Sequence, residues 1–176
     1  IIMPAVYMRE AQQSDCTVIE QIINQGRAFL KAQGLNQWQG TYPNKDTISD
    51  DIARQQGYVL LLDNSVVGYA AVTEGQDPIY DAIENGEWLN SPTNYVAIHR
   101  FVISNRYHGQ KLAQRLMSCI FTYFIALNCR DFRIDTHPNN VPMQAVITGN
   151  GFHLKGHVYI NDGQSRELRW AYQIVI

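Results

Sequence analysis

The sequence has few cysteines and no excess of positive charge. Its 176 residues include only Cys16, Cys119 and Cys129, an odd number without the paired spacing of metal ligands. This pattern argues against a disulfide framework or a structural zinc site and favours a reducing, cytoplasmic setting. Lys and Arg total 14 against 16 Asp and Glu, which gives a net charge of -2. Because nucleic-acid binders carry a basic surface, we expect a small-molecule partner and no nucleic acid.

Long apolar runs are also missing. Runs such as YVLLL at 58–62 have the length of a strand and are far too short to span a membrane. The first residues, IIMPAVYM, lack the basic start and long apolar stretch of a signal peptide. We therefore expect a soluble protein without a membrane partner. A single domain over 1–176 fits the length, with 1–7 interpreted as a tag or processing remnant and Met8 as the alternative start.

The hydrophobic pattern predicts a mixed α/β domain. A turn at Asp63–Asn64–Ser65 separates two β-rich segments and indicates a hairpin. A nearly continuous apolar strand, a helix with a stripe from Leu112 to Leu127 and a second strand indicate a parallel βαβ unit. The predicted elements are a strand at 6–9, a helix capped by Ser14 or Asp15 that ends near Gly34, a helix at 47–56, strands at 58–62, 66–74 and 94–103, a helix at 109–128, a strand at 131–136, a helix at 139–149 and two closing strands.

The segment RYHGQKLAQRL at 106–116 combines a turn with the start of a helix. A helix start presents backbone N–H groups without intrahelical partners and the positive end of the helix dipole. Gly109 allows a ligand to approach the backbone, and Arg106, His108 and Lys111 add positive charge. The segment therefore predicts a site for a phosphate-bearing ligand. The alternative is an ordinary loop-to-helix junction with solvated basic residues.

The order of elements and three motifs resemble the GNAT superfamily of acyl-CoA-dependent N-acetyltransferases. The motifs are HRFVISNRYHGQKLAQRLM, DTHPNNVPMQAVITGNGF and QWQGTYP. The resemblance implies a central, mostly antiparallel sheet that contains the parallel βαβ unit and is flanked by helices. It also implies transfer of an acetyl group from acetyl-CoA to a primary amine of a small molecule or peptide. No metal is expected, because His153 and His157 have no third ligand nearby in the sequence.

The resemblance places the acetyl-CoA site around the turn and two strand ends. His108 and Lys111 depart from the family's signature Arg/Gln and first Gly, whereas Ala113 stands at its last position. The cradle for the pyrophosphate depends on backbone N–H groups and tolerates such departures. By resemblance, Asn140 bonds the pantetheine arm and Met143 packs nearby. The predicted cofactor-binding residues are Phe101, Val102, Ile103, His108, Gly109, Gln110, Lys111, Leu112, Ala113, Asn140 and Met143.

His99 is the first candidate for the catalytic base. It aligns with a histidine position that some family members use, and an unperturbed imidazole has a pKa of about 6.5. Its alternative role is that of a histidine satisfied by hydrogen bonds at the edge of the core. Glu74 is the competing base. Many family members place a tyrosine acid where this chain has Ile147, so that role is vacant.

Four aromatic residues outside the apolar strands predict a wall for the acceptor amine. They are Trp38, Tyr42, Tyr80 and Trp88, and ordinary packing is the alternative for each. We expect segment 76–93 to cover the substrate. Two other functions stay open: a CoA-binding module with little or no catalytic activity, and an interaction domain. A homodimer is compatible with all three.

Overall fold

The computed structural model describes residues 3–89, 94–107, 109–161 and 165–176. In these residues the chain forms seven strands and five helices, besides short 3-10 turns. In chain order they are β1 (Val6–Glu10), α1 (Cys16–Ala32), α2 (Lys45–Ala53), β2 (Gly57–Leu62), β3 (Ser65–Glu74), α3 (Pro78–Asp81), β4 (Val96–Ile103), α4 (Leu112–Ala126), β5 (Asp131–Thr136), α5 (Val141–Gly149), β6 (His153–Asn161) and β7 (Arg166–Val175).

The strands form one sheet in the order β1-β2-β3-β4-β5-β7-β6. β4 and β5 pair in parallel, as a strand–helix–strand crossover requires. The pairs β1–β2, β2–β3, β5–β7 and β6–β7 are antiparallel. The predicted mixed sheet with one parallel pair and flanking helices is therefore confirmed, and so is the hairpin between β2 and β3.

The chain divides into two compact units, one of Ile1–Val72 with Arg100–Ile120 and one of Thr73–His99 with Phe121–Ile176. The prediction of a single domain over 1–176 stays a prediction. In the first unit, the apolar face of α1 packs on the hairpin of β2 and β3 and on the end of β4. Its buried core includes Ile19, Ile22, Ile23, Ile48, Val59, Leu61, Tyr69 and Val102.

In the second unit, side chains alternate between the two faces of the sheet formed by β4, β5, β7 and β6. On one face, aromatic residues around α3 cover small residues of the strands, so the helix approaches the sheet closely. This cluster contains Tyr80, Tyr95, Ala97, Val158 and Ala171, with Ile79, Ile83 and Trp88 packed against it.

Helix α4 differs from its prediction at both ends. It begins at Leu112 and not at Gly109, because Gly109 and Lys111 have φ angles of 77° and 56°, which a right-handed helix cannot contain. The helix ends at Ala126, so Leu127 lies beyond it and is 54 % exposed. The prediction that Leu127 belongs to the buried stripe is therefore wrong, whereas Leu116 is fully buried as expected.

The expected cap of α1 is also absent. Asp15 precedes the helix, but its side chain makes no capping hydrogen bond to it. Its carboxylate instead accepts from the backbone N–H of Gln12 at 2.7 Å and from both terminal nitrogens of Arg9, at 2.7 and 3.1 Å. These bonds hold the pKa of Asp15 below its ordinary value, and they fix the turn that leads from β1 into α1.

Candidate active site

The parallel pairing of β4 and β5 brings two titratable residues together in the second unit. The parallel register pairs Ile98 with Ile134, so His99 and Asp135 are the next residues on the two strands. Ligands of α/β proteins bind at the carboxyl ends of parallel strands. The predicted base, His99, stands beside Asp135, which is one residue before the carboxyl end of β5, although β4 itself continues to Ile103.

His99 is hydrogen-bonded to a carboxylate that the sequence analysis missed. Its Nε2 lies 3.1 Å from Oδ2 of Asp77, and the two side chains are 20 % and 16 % exposed. The other oxygen of Asp77, Oδ1, accepts from the backbone N–H of Ile79 at 3.0 Å and caps α3. The backbone N–H of Asp77 donates to the hydroxyl of Tyr95 at 2.6 Å. The backbone N–H and one carboxylate oxygen of Asp77 are thus held by hydrogen bonds, and the other carboxylate oxygen faces the imidazole.

Tyr80 and Asp135 form a second pair beside His99. The Tyr80 hydroxyl donates to Oδ2 of Asp135 at 2.8 Å, and the Tyr80 ring centroid lies 5.7 Å from that of His99. Burial raises the pKa of Asp135, although the nearby His99 opposes this rise. Burial and the Asp135 charge also raise the pKa of Tyr80. Tyr80 therefore remains a hydrogen-bond donor, and Asp135 is harder to ionise than an exposed aspartate.

Arg133 anchors the segment that carries α3. Its side chain is fully buried, with the guanidinium 3.8 Å from the ring centroid of Tyr95 and 4.5 Å from that of Trp88. It also pairs with Asp131 at 3.0 Å. The indole N–H of Trp88 donates to the backbone oxygen of Tyr80 at 2.8 Å. Tyr80 and Trp88, predicted to line the acceptor site, are thus held in one buried aromatic and cationic layer.

Segment 76–93 was expected to cover the substrate, and residues 90–93 of it lie outside the described residues. Two backbone hydrogen bonds of 2.8 Å between Glu84 and His157 join the described part of the segment to β6, at the edge of the sheet. The backbone N–H of Leu89 donates to the side chain of Gln173 at 2.9 Å. Gly86 passes so close to β6 that an added Cβ would stand 1.7 Å from the carbonyl oxygen of Lys155. These contacts fix the position of α3 on the sheet and with it the position of Asp77.

The other predicted site residues of the second unit make different contacts from these two pairs. Glu74 ends β3 and is exposed. Asn140 is buried and caps α5, because its Oδ1 accepts from the backbone N–H of Met143 at 3.3 Å. Met143 is half-buried. Ile147, at the position where many relatives carry the tyrosine acid, is fully buried in the core.

In the first unit, the end of β4 leads into the predicted anion turn. The turn is anchored by Gln25 of α1, whose Oε1 accepts from the backbone N–H of Asn105 at 3.0 Å. Gly109 has open space around its α-carbon, and Gln110 and Lys111 are exposed. Helix α4 then begins with its first-turn N–H groups, which have no intrahelical acceptor. His108, also predicted for this site, lies outside the described residues.

The remaining cofactor residues of the first unit are part of β4 and α4. Val102 is buried in the core and lies beside Gly26, while Phe101 and Ile103 are half-buried. Leu112 is buried and Ala113 is half-buried at the helix start. The arrangement leaves the backbone of the turn, more than these side chains, accessible to an anion.

Trp38 and Tyr42 belong to the first unit and surround a second ion pair. Trp38 packs against the core, with its ring beside Gly26. The Tyr42 hydroxyl accepts from Arg100, whose guanidinium binds Asp51 through two hydrogen bonds of 2.6 and 2.8 Å. Arg100 has a φ of 51° within β4, so the strand is locally distorted directly after His99.

Sequence reasoning missed Asp77, Asp135 and Asp51. Asp77 could have been found from the Asp-Pro pair, which is typical of an N-cap followed by proline at the first helical position. Asp135 is one of three charged residues in the six-residue strand DFRIDT, and charged residues in a buried strand favour a functional or paired role. Asp51 has no comparable local signal, because its partner Arg100 is 49 residues away.

The comparisons with known proteins agree with this architecture. The model of the acetyltransferase (GNAT) family matches residues 25–152. The chain therefore belongs to the GNAT acetyltransferase family. A comparison with curated protein sequences gave no match.

Solved structures show the same fold over the full chain. An acetyltransferase of the GNAT family from Streptococcus agalactiae 2603 is 34 % identical, with a TM-score of 0.89 and coverage of 100 % of this chain and 98 % of that one. A putative acetyltransferase from Staphylococcus aureus Mu50 is 23 % identical, with a TM-score of 0.71 and coverage of 96 % and 97 %. The PaiA N-acetyltransferase from Thermoplasma acidophilum, solved in complex with coenzyme A, is 13 % identical, with a TM-score of 0.71 and coverage of 98 % and 99 %.

Two further features bear on partners. In the described part of the chain, every helix is too short or too polar to cross a bilayer. Over the same residues, no group of three or more His, Cys, Asp or Glu side chains is arranged to hold a metal ion.

Proposed function

We propose that this GNAT acetyltransferase transfers the acetyl group of acetyl-CoA to a primary amine of a small molecule or peptide, with His99 as the base. The observation that carries the proposal is the hydrogen bond of His99 to Asp77, beside the carboxyl end of β5. A histidine with a fixed ring and a carboxylate partner is equipped to accept a proton at neutral pH. Glu74 has less support, because it is an exposed residue at a strand end.

The turn before α4 supports binding of the acetyl-CoA pyrophosphate. Positive φ angles at Gly109 and Lys111 bend the backbone, and the first-turn N–H groups of α4 follow directly. The space around Gly109 accommodates a ligand close to the main chain. Acetyl-CoA supplies the reactive thioester, and the protein residues orient it and accept the proton of the amine.

The proposed transfer forms one amide bond and breaks one thioester bond. The amine nitrogen forms a bond to the acetyl carbon, and the bond from that carbon to sulfur breaks with its electron pair on sulfur. The acceptor enters as an ammonium ion, which gives one proton to His99 and through it to solvent before the nitrogen attacks. The second proton that the nitrogen loses as the amide forms passes through water to the thiolate. Water serves as the acid here because residue 147 is a buried isoleucine. Thiols are weak acids, with a pKa of about 8.5 for free cysteine, so a thiolate can leave before it is protonated.

Titration calorimetry with acetyl-CoA, followed by thiol release with a panel of amines, tests this function. We expect saturable binding and amine-dependent thiol release. His99→Gln should lower turnover about 10²–10⁴-fold with little change in acetyl-CoA affinity, the usual contribution of a general base. The loss should shrink at high pH, where the free amine is already deprotonated.

One observation favours a second candidate, a CoA-binding module without useful catalysis. Lys111 replaces the first glycine of the family's signature, and Ile147 replaces the tyrosine acid. Acetyl-CoA binding without thiol release for any amine in the panel would establish this alternative. Absence of acetyl-CoA binding would contradict both functions.

A further inference from the structure

The contacts of Asp77 divide its carboxylate between two tasks. Oδ1 accepts from the backbone N–H of Ile79 and caps α3, while Oδ2 faces Nε2 of His99. An ionised carboxylate can only accept hydrogen bonds. A bond to Oδ2 therefore requires the hydrogen of a neutral imidazole to be on Nε2, and it leaves the lone pair on Nδ1.

We propose that Asp77 is the positioning residue of His99: it fixes the Nε2–H tautomer and makes Nδ1 the nitrogen that accepts the proton of the acceptor amine. This inference rests on the proposed function only for the base role of His99. The proton moves from the amine to Nδ1, and the imidazolium that results is stabilised by the Asp77 carboxylate at 3.1 Å. The proton then passes from Nδ1 to solvent.

The anchoring of Asp77 supports a positioning role. Its backbone N–H donates to the hydroxyl of Tyr95, a residue that is 1 % exposed and stacks on the buried guanidinium of Arg133. The position of the carboxylate is thus set by Tyr95 of the sheet and by the buried Arg133 on which Tyr95 stacks. A group held by rigid elements in this way orients its partner better than a side chain on a free loop.

The titratable groups that lie close to His99 in the second unit come from different parts of the chain. Asp77 approaches it from the residue before α3, Tyr80 from α3 and Asp135 from β5. Arg169 of β7 acts on Asp135 and partly balances that carboxylate. Among these groups Asp77 is the one with a hydrogen bond to the imidazole, so its removal is the specific test.

Asp77→Asn removes the charge but keeps a side-chain oxygen for the cap of α3, since asparagine caps helices as well as aspartate does. We expect turnover to fall about 10–100-fold, a part of the 10²–10⁴-fold contribution of a general base. Acetyl-CoA affinity should change less than about twofold. Asp81→Asn, an equal charge change at an exposed position of α3, is the matched control and should leave both quantities unchanged.

The double variant Asp77→Asn, His99→Gln separates positioning from folding. Groups that act as a unit are not additive, so we expect the double variant to be no slower than His99→Gln alone. Additive losses, or full activity of Asp77→Asn while His99→Gln is slow, would overturn the inference and leave the proposed function intact. Full activity of His99→Gln would overturn the base role and the inference together.

A spectroscopic measurement tests Asp77 independently of turnover. Two-bond nitrogen–proton correlations of the imidazole ring in the intact wild-type protein should show the Nε2–H tautomer for neutral His99. Asp77→Asn, which keeps its oxygen on the cap of α3 and turns its amide nitrogen towards Nε2, should shift neutral His99 towards the Nδ1–H tautomer. In the wild type, a neutral His99 with its hydrogen on Nδ1 would overturn the inference even if thiol release were never observed.

Discussion

Lys111 has a backbone conformation that favours glycine. Its φ of 56° lies in the left-handed region, which costs an ordinary residue roughly 1–2 kcal/mol. Because glycine adopts this region freely but is more flexible in the unfolded chain, we expect Lys111→Gly to raise the free energy of unfolding by about 0.5–1 kcal/mol. Acetyl-CoA affinity should stay within about threefold if backbone N–H groups form most of the pyrophosphate cradle, as we propose. Urea unfolding and titration calorimetry measure the two quantities.

Lys111→Ala separates the backbone effect from the charge. Like glycine it removes the ammonium group, but it keeps the Cβ that the left-handed region disfavours. We expect its stability to match that of the wild type. If both variants lost acetyl-CoA affinity more than tenfold, the Lys111 ammonium group would be the anchor and the backbone cradle would be secondary.

At the scale of elements, the residue that caps α5 is expected both to stabilise the fold and to contact the cofactor. Asn140 caps the helix through Oδ1, so we expect its amide nitrogen to be the group that donates to the pantetheine arm. Asn140→Ala should lower the free energy of unfolding by about 1 kcal/mol, the usual cost of a lost cap. It should also weaken acetyl-CoA binding by about 1–2 kcal/mol through the lost hydrogen bond.

Asn140→Asp distinguishes the two roles of this residue. Aspartate caps a helix start well and is favoured by the helix dipole, so stability should be retained. It lacks the amide donor, so the affinity for acetyl-CoA should fall as it does in the alanine variant. Normal binding by Asn140→Asp would show that the amide nitrogen does not contact the cofactor, and Asn139 would be the next residue to test.

Local patterns in the sequence predicted most elements and part of the site. The hairpin around Asp63 and the βαβ unit follow from alternation, helical spacing and turn residues within short windows. The start of α4 was missed because a lysine at a left-handed position carries no local signal, unlike a glycine. The pairs Tyr80–Asp135 and Arg100–Asp51 were missed because their members are 55 and 49 residues apart and meet only in the folded sheet.

Roles were harder to predict than positions. His99 was expected within the strand at 94–103, and β4 contains it, but its partner Asp77 comes from a turn-rich segment 22 residues earlier. Tyr80 was expected in an acceptor wall, but its ring is fully buried and its hydroxyl binds Asp135. A pattern of residue types identifies which side chains could take part in chemistry, whereas hydrogen-bond partners depend on contacts distant in the sequence.

At the scale of the whole molecule, two aspartates give the stability opposite dependences on pH. The pKa of Asp15 is lowered in the folded protein by its bonds to Arg9, so its contribution is present above about pH 4 and is lost as the pH falls through its folded pKa. The pKa of Asp135 is raised by burial. The folded protein therefore holds this proton more tightly than the unfolded chain, and stability falls as the pH rises from about 4 to the folded pKa.

Asp135→Asn should remove the second dependence and keep the hydrogen bond, because the amide oxygen can still accept from the Tyr80 hydroxyl. We expect the variant to be more stable than the wild type at pH 7, with a difference that decreases as the pH is lowered towards 4. Urea unfolding at half-unit pH steps measures this difference. Asp81→Asn, at an exposed position of α3, is the charge-matched control and should follow the wild-type curve. A difference that stayed constant between pH 4 and pH 7 would contradict the prediction, because it would assign the effect of Asp135 to packing and not to the burial of its charge.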